Sequence, residues 1–253
     1  MKKSVVIGII GGSGLDDIDI LKGARNLEVK TQYGLPSSPL KIGEINGQKV
    51  VFIARHGKRH TIPPTQVNFR ANIQALKDQG ATHILASTAC GSLRKEIKRG
   101  DLIILDQFID FTRHRKVTYY EEFPGGAENA KHIAMPDPFS KELRKLLIEA
   151  AKKLKLKVYS KGTVITIEGP RFSTRAESKM FRIWGADVIN MSIAPECILA
   201  NEAGIQYVTV AISTDYDSWS EEETVTWDEI LKIFGKNVEN VKKIFLETIP
   251  KIK

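Results

Sequence analysis

The sequence predicts an α/β fold: a single domain over residues 1–253 with a mixed, largely parallel central sheet flanked by helices. Three observations predict it. Short apolar, β-branched runs alternate with amphipathic stretches of helical period along the whole chain. No stretch rich in Pro, Gly or Ser reads as an interdomain linker; Gly34–Pro39 and Pro124–Asn129 read as loops within one domain. A chain of 253 residues, 42% of them hydrophobic, suffices for one sizeable core.

The elements follow in order. Ser4–Ile10 (SVVIGII) reads as a buried strand closed by Gly11-Gly12-Ser13-Gly14, and Lys49–Ala54 (KVVFIA) as a second. Pro64–Asp78 carries helical spacing through Val67, Ala71, Ile73 and Leu76. His83–Ser87 and Leu102–Ile109 are the third and fourth strands. Ser140–Leu154 is amphipathic, with Leu143, Leu147, Ala150 and Leu154 on one face. Gly162–Ile167 and Val188–Met191 are short strands, and Glu177–Trp184 and Pro195–Ala203 are helices. Val208–Thr214 (VTVAIST) is a last buried strand, and Trp227–Ile249 is a terminal helix or helix pair.

Composition narrows the function classes. The formal charge is +8, which raises nucleic-acid binding as a hypothesis. Against it, the lysines are spread along the chain and no interleaved aromatic motif accompanies them, so no nucleic-acid partner is expected. No apolar run reaches 18 residues, so no membrane span is expected. The start, MKKSVVIGIIGGSG, has too short an apolar run for a signal peptide. Cys90 and Cys197 sit among apolar or small residues, as reduced core cysteines of a cytoplasmic protein would.

In such sheets ligands bind at the carboxyl ends of the strands. The residues there form a pattern. The GGSG after the first strand offers backbone N–H groups and the Ser13 hydroxyl to an anion, or is a tight turn. It does not match the dinucleotide fingerprint. Arg55 and His56 follow the second strand, where a guanidinium fork can grip phosphate, or they belong to a solvated basic loop. Thr88-Ala-Cys-Gly-Ser92 adds hydroxyls, or is a turn of small residues. In EGPRFSTRAE, Phe172 can stack on a flat ligand, while Glu168 or Arg171 can equally form a structural ion pair. Met191 is a soft packing surface and Ser192 one more hydroxyl. Asp215 and Asp217 end a buried strand. Together these make an anion site of Ser13, Arg55, His56, Thr88 and Ser192, with two carboxylates beyond it. That suits a ligand with ring N–H groups that phosphate attacks. No metal-ligand spacing and no G-x-S-x-G nucleophile elbow is present in the sequence.

The motifs GIIGGSGL, RHGKRHTIPPTQVNFRANIQALK, TACGSL, DQFID, TIEGPRFSTRAES, WGADVINMS, PE and TDYDSW, spread from Val5 to Pro250, resemble the methylthioadenosine phosphorylases. These lie in the trimeric branch of the purine nucleoside phosphorylase family. The resemblance implies a nucleoside phosphorylase-like fold and a pentosyltransferase reaction. Inorganic phosphate, a co-substrate, attacks C1′ of 5′-methylthioadenosine and adenine leaves, with no metal or organic cofactor. It implies Ser13, Arg55, His56, Thr88 and Ser192 as phosphate ligands, and His60, Met191 and the backbone near Ala89 beside the ribose. Ser173, Asp215 and Asp217 would meet the purine, with Phe172 on the ring. His132 would close the 5′ end of a neighbour's site in a homotrimer or dimer of trimers. Ser192 stands where many relatives have Thr, which keeps the hydroxyl. Trp227 stands where a smaller aliphatic residue is usual, and would narrow or reshape the 5′ pocket. A phosphorylase of broader specificity, or one for 6-oxopurine nucleosides, is the alternative, and an inactive binding protein a third reading.

Overall fold

The chain is organised around one central strand. The computed structural model describes residues 5–12, 15, 19–220 and 227–253, leaving aside the side chains of 227–232 and 234–236. Along the chain run β1 (Val6–Gly11), β2 (Lys22–Leu27), β3 (Leu40–Ile45), β4 (Gln48–Ala54), α1 (Phe69–Asp78) and β5 (His83–Ser92). Next come β6 (Leu102–Ile104), β7 (Gln107–Phe111), α2 (Lys141–Lys153), β8 (Val158–Tyr159), β9 (Thr163–Ile167) and α3 (Arg175–Ile183). The last are β10 (Val188–Asn190), α4 (Ile193–Glu202), β11 (Gln206–Asp215) and α5 (Trp227–Thr248). Among the described residues the strands join in one sheet of eleven.

Strand β5 is its pivot. Its first residues pair in parallel with β1, and β11 runs parallel along its other edge up to Gly91. Gly91 and Ser92 then pair with antiparallel β10, which carries the sheet on to β9 and β7. Beyond β1 lie β4, β3 and β2; beyond β11 lie β6 and β8. The sheet is thus mixed, with the parallel run β4-β1-β5-β11 at its centre, as the alternation of strands and helices predicts.

Both faces are covered, which is why the central strands read as continuous apolar runs. The two-residue period of β structure divides them. Ile10, Ile84 and Ala86 pack with Phe69, Ile73 and Leu76 of α1 and Cys197 and Leu199 of α4. Ile7, Ile9, Leu85, Val208 and Val210 face Leu143 and Leu147 of α2 and Val241, Ile244 and Phe245 of α5. A smaller cluster ties Phe181 of α3 to Ile165 of β9 and Ile189 of β10. No helix among the described residues is long and apolar enough to cross a membrane.

The structure differs from the sequence reading at several boundaries. The helix expected from Pro64 begins at Phe69, because Pro64–Gln66 forms a 3-10 turn and the Asn68 side chain accepts from Ala71 N–H to cap α1. The strand expected over Leu102–Ile109 is two, because the chain changes neighbour at Leu105-Asp106: β6 pairs with β11, whereas β7 pairs with β9. The segment Thr88–Ser92 is no turn but the second half of β5. Strands β2, β3 and β8 are not among those the sequence predicts. β2 is almost wholly exposed and β8 is two residues long, so neither carries a buried apolar pattern.

The packing of α2 generates a prediction. Leu147 is fully buried between α2 and the sheet, on elements that do not line the pocket described below. Leu147→Ala should cost about 2–5 kcal/mol of stability. Denaturant titration measures this, and the fraction that stays folded should keep its activity.

Candidate active site

A pocket opens at the carboxyl ends of the central strands, where ligands bind in sheets of this kind. Of the residues singled out in the sequence, Arg55, His56, His60, Thr88, Ala89, Phe172, Ser173, Met191, Ser192, Asp215 and Asp217 all line it. Ser13 and the Trp227 side chain lie outside the described residues. His132 is elsewhere, exposed on the long connection between β7 and α2, its ring 5.6 Å from that of Phe123.

One end of the pocket gathers hydrogen-bond donors. Arg55 follows β4 and is 0% exposed. Its Nε–H donates to Glu196 Oε2 at 2.6 Å and an Nη2–H to Glu196 Oε1 at 2.7 Å. An Nη1–H donates to the Ser87 carbonyl at 2.9 Å. The Tyr207 hydroxyl also bonds the guanidinium. The fork that the sequence offers to an anion along the Nε edge is therefore taken by Glu196. Burial works against the Arg55 charge, and the Glu196 carboxylate more than offsets it, so the pKa is raised. Gly12 fits here because nothing larger could: a Cβ would stand 2.7 Å from the Ser87 carbonyl oxygen and 2.9 Å from Arg55 Nη1.

The hydroxyls beside it are held in a chain. Thr88 Oγ1 and Ser192 Oγ are 3.0 Å apart. Asn190 Nδ2 donates to Thr88 Oγ1 at 3.1 Å, and its Oδ1 accepts from Thr166 Oγ1 at 2.8 Å. Thr166 Oγ1 in turn accepts from Ala194 N–H. Completing this end, His56 and His60 stack with ring centroids 4.3 Å apart. Nδ1 of His56 lies 3.0 Å from the Ile62 carbonyl oxygen, which can only accept, so Nδ1 carries a proton and Nε2 remains. Burial, then the neighbouring Arg55 charge, pushes the His56 pKa down to about 3. The same causes lower that of His60.

The other end holds the carboxylates. The ladder between β11 and β5 shifts register between Ser213 and Asp215, a bulge that bends the strand end beside the pocket. Asp215 Oδ2 accepts from Thr214 Oγ1 and Oδ1 from Asp217 N–H, both at 2.8 Å. Asp217 sits at a left-handed φ of +48°, a conformation that Asp tolerates better than most residues. Its carboxylate accepts from Ser173 Oγ at 2.6 and 2.8 Å. Trp219 anchors the turn: its indole N–H donates to the Ser92 carbonyl at 2.7 Å, and the Arg182 guanidinium lies 4.0 Å over its ring. Burial raises the pKa of both Asp215 and Asp217. Gly91 lets Asp215 in, since a Cβ there would lie 2.8 Å from Asp215 Oδ1.

The charged residues of EGPRFSTRAE are structural. Arg171 pairs with Glu177 through two bonds of 2.7 Å, while Glu177 and Thr174 form the capping box of α3. Glu168 pairs with Arg115 at 3.2 Å. Phe172, 37% exposed, stands at the pocket rim. The sequence reading did not single out Asn190, Gly91, Thr214 or Tyr207, and Glu196 entered it only within the PE motif. An acid in an otherwise apolar helix, IAPECILA, is the one local signal that could have flagged Glu196.

Comparison with known proteins places these features in context. Residues 6–250 match the model of the Phosphorylase superfamily. The S-methyl-5'-thioadenosine phosphorylase of Xenopus tropicalis is 54% identical over 98% of this chain and 89% of its own. That of Pyrococcus furiosus is 50% identical over 97% and 92%. The solved structure of methylthioadenosine phosphorylase from Schistosoma mansoni in complex with adenine superposes with a TM-score of 0.92 at 42% identity, over 98% of this chain and 92% of that one.

The buried histidine sets a pH dependence. In the unfolded chain His56 takes up a proton near pH 6.5, but in the folded protein only near 3. Between those values the unfolded state binds more protons, so stability is present above 6.5 and is lost as pH falls toward 3. Urea midpoints measured across this window should drop with acid in the wild type. In His56→Asn the drop should be shallower.

Proposed function

The chain belongs to the phosphorylase superfamily, and on that premise we propose that it is a pentosyltransferase that cleaves 5′-methylthioadenosine with inorganic phosphate. The products are adenine and 5-methylthioribose 1-phosphate. One observation carries the reading: a single pocket has N–H and hydroxyl donors at one end (Arg55, Thr88, Ser192) and a buried pair of carboxyl groups at the other. The curated relatives at about half identity over nearly the full chain carry the name S-methyl-5'-thioadenosine phosphorylase, which supports the same substrate.

The reaction follows from this polarity. Phosphate at the donor end attacks C1′ of the ribose as the bond to the purine breaks. Positive charge develops on the sugar and negative charge on the departing base. Holding phosphate and nucleoside together supplies the orientation. His60, Met191 and the chain at Ala89 border the ribose, and Phe172 packs on the purine. Asp215 and Asp217 accept from the 6-amino group. A carboxyl group whose pKa is raised by burial can also hold a proton, and from Asp215 that proton goes to N7 as adenine leaves. Inorganic phosphate is the co-substrate, and no metal or organic cofactor takes part. The enzyme works as a cytoplasmic homotrimer or dimer of trimers in purine and methionine salvage. His132, exposed and away from its own subunit's pocket, reaches the 5′ end of a neighbour's site.

Two experiments test this. The carboxyl oxygen that accepts from the 6-amino group meets the 6-carbonyl of a 6-oxopurine oxygen to oxygen, a mismatch worth about 1–3 kcal/mol, or roughly 10- to 100-fold. Asparagine is of similar size and carries an amide that donates. Asp215→Asn should lose adenine-nucleoside activity and shift the ratio of kcat/KM for adenosine over inosine toward inosine. An unmoved ratio removes Asp215 from base recognition. For the assembly, light scattering should give a trimer or a multiple of it, and dilution to monomer should abolish phosphate-dependent adenine release. A fully active monomer would contradict the shared site.

A further inference from the structure

We infer that Glu196 is a positioning residue for phosphate: it fixes the plane of Arg55 where that residue lines the pocket, and Tyr207 holds Glu196 in turn. The inference rests on phosphate being the co-substrate.

The geometry is a buried relay. Glu196, on α4, is 0% exposed, as is Arg55. Both of its oxygens are engaged by Arg55, at 2.6 and 2.7 Å. Oε1 accepts in addition from the Tyr207 hydroxyl at 2.6 Å, and that hydroxyl accepts from Thr209 Oγ1 at 2.9 Å. Tyr207 and Thr209 are buried on β11, the strand that ends in Asp215. Four residues before Glu196 on the same segment is Ser192, whose hydroxyl lies 3.0 Å from Thr88 Oγ1 in the pocket. One segment therefore delivers both an anion-facing hydroxyl and the partner that fixes the guanidinium.

The chemistry makes orientation decisive. Glu196 neutralises Arg55, so an anion at this end meets a paired ion and not a free cation. Neither His56 nor His60 is charged at neutral pH. Binding then depends on directed N–H and O–H donors, whose strength falls steeply when they are misaligned. A bidentate contact fixes the plane of Arg55 in a way that a single contact does not. Glutamine in place of Glu196 offers one acceptor where the carboxylate offers two, and its amide N–H faces an N–H donor. Tyr207→Phe keeps the ring in the core and removes only the hydroxyl that bonds Oε1 and steadies the Arg55 guanidinium.

The experiment measures steady-state constants for phosphate and for methylthioadenosine, each with the other saturating. It uses wild type, Glu196→Gln, Glu196→Asp and Tyr207→Phe, all checked for folding by circular dichroism and thermal melting. Glu196→Gln should raise the phosphate KM by about tenfold or more, and Tyr207→Phe by about 3- to 10-fold. The nucleoside KM should stay within about twofold. Glu196→Asp, which keeps the charge and shortens the reach, should fall between wild type and Glu196→Gln. If Glu196→Gln does not fold, Tyr207→Phe decides alone. A folded variant with an unchanged phosphate KM, or with both constants moved equally, overturns the inference. Wild-type protein that releases adenine without phosphate, or not at all, overturns the functional reading instead.

Discussion

A guanidinium with no exposure to water has to find its counter-charge inside the protein, and in this molecule that requirement joins the elements that make the pocket. Arg55 leaves the end of β4, bonds the Ser87 carbonyl of β5, and pairs with Glu196 of α4, which is held by Tyr207 of β11. Removing one partner of such a buried pair strands the other charge and typically costs about 3–5 kcal/mol. The pair is weak evidence for net stability, because a well-packed apolar substitute could serve the core as well. Its position at the pocket floor gives a better reason for its presence: an apolar pair could not present N–H bonds to an anion.

The sheet imposes a second constraint. β5 is the only strand among the described residues that meets β1, β10 and β11. The carboxyl end of β1 brings Gly12, β5 brings Thr88 to Gly91, β10 brings Asn190, and β11 brings Thr214 and Asp215. These residues converge because the sheet divides there: β11 follows β5 as far as Gly91, where β10 takes up the pairing with Gly91 and Ser92. The bulge before Asp215 and the missing side chain of Gly91 are two halves of one adjustment. The first bends the strand end and the second leaves room for the carboxylate.

What the sequence made legible follows the same physics. Strands buried on both faces, such as SVVIGII and VTVAIST, announce themselves as apolar runs because tertiary packing demands nothing else of them. The polar edge strand KGARNL has no such pattern, since only its backbone bonds define it. TACGS reads as a turn because small residues suit turns. Here they are small because the strand lines a pocket and lies against Asp215. The pocket residues were readable from their places after strands, together with the family motifs. The relay through Glu196, Tyr207 and Thr209 was not. Its successive members are 11 and 2 residues apart in the chain, yet they reach Arg55, 141 residues before Glu196, only in the folded protein. No local spacing encodes that.

The formal charge of +8 also takes on a different meaning in the structure. The excess is not focused on the anion site. Arg55 is neutralised by Glu196, and Arg115 and Arg171 are tied to Glu168 and Glu177. Several lysines, among them Lys116, Lys141 and Lys153, form ion pairs at the surface, where such pairs are worth little. The donors at one end of the pocket are thus oriented and not simply charged, and at the opposite end lie two carboxyl groups whose pKa values burial has raised. The donor end is held close to electrical neutrality before any ligand arrives. Charge that develops during bond cleavage is met best by dipoles already oriented, with little reorganisation left to do. A site built from an unpaired Arg would bind an anion more strongly at the outset, but it would stabilise the ground state as much as the transition state.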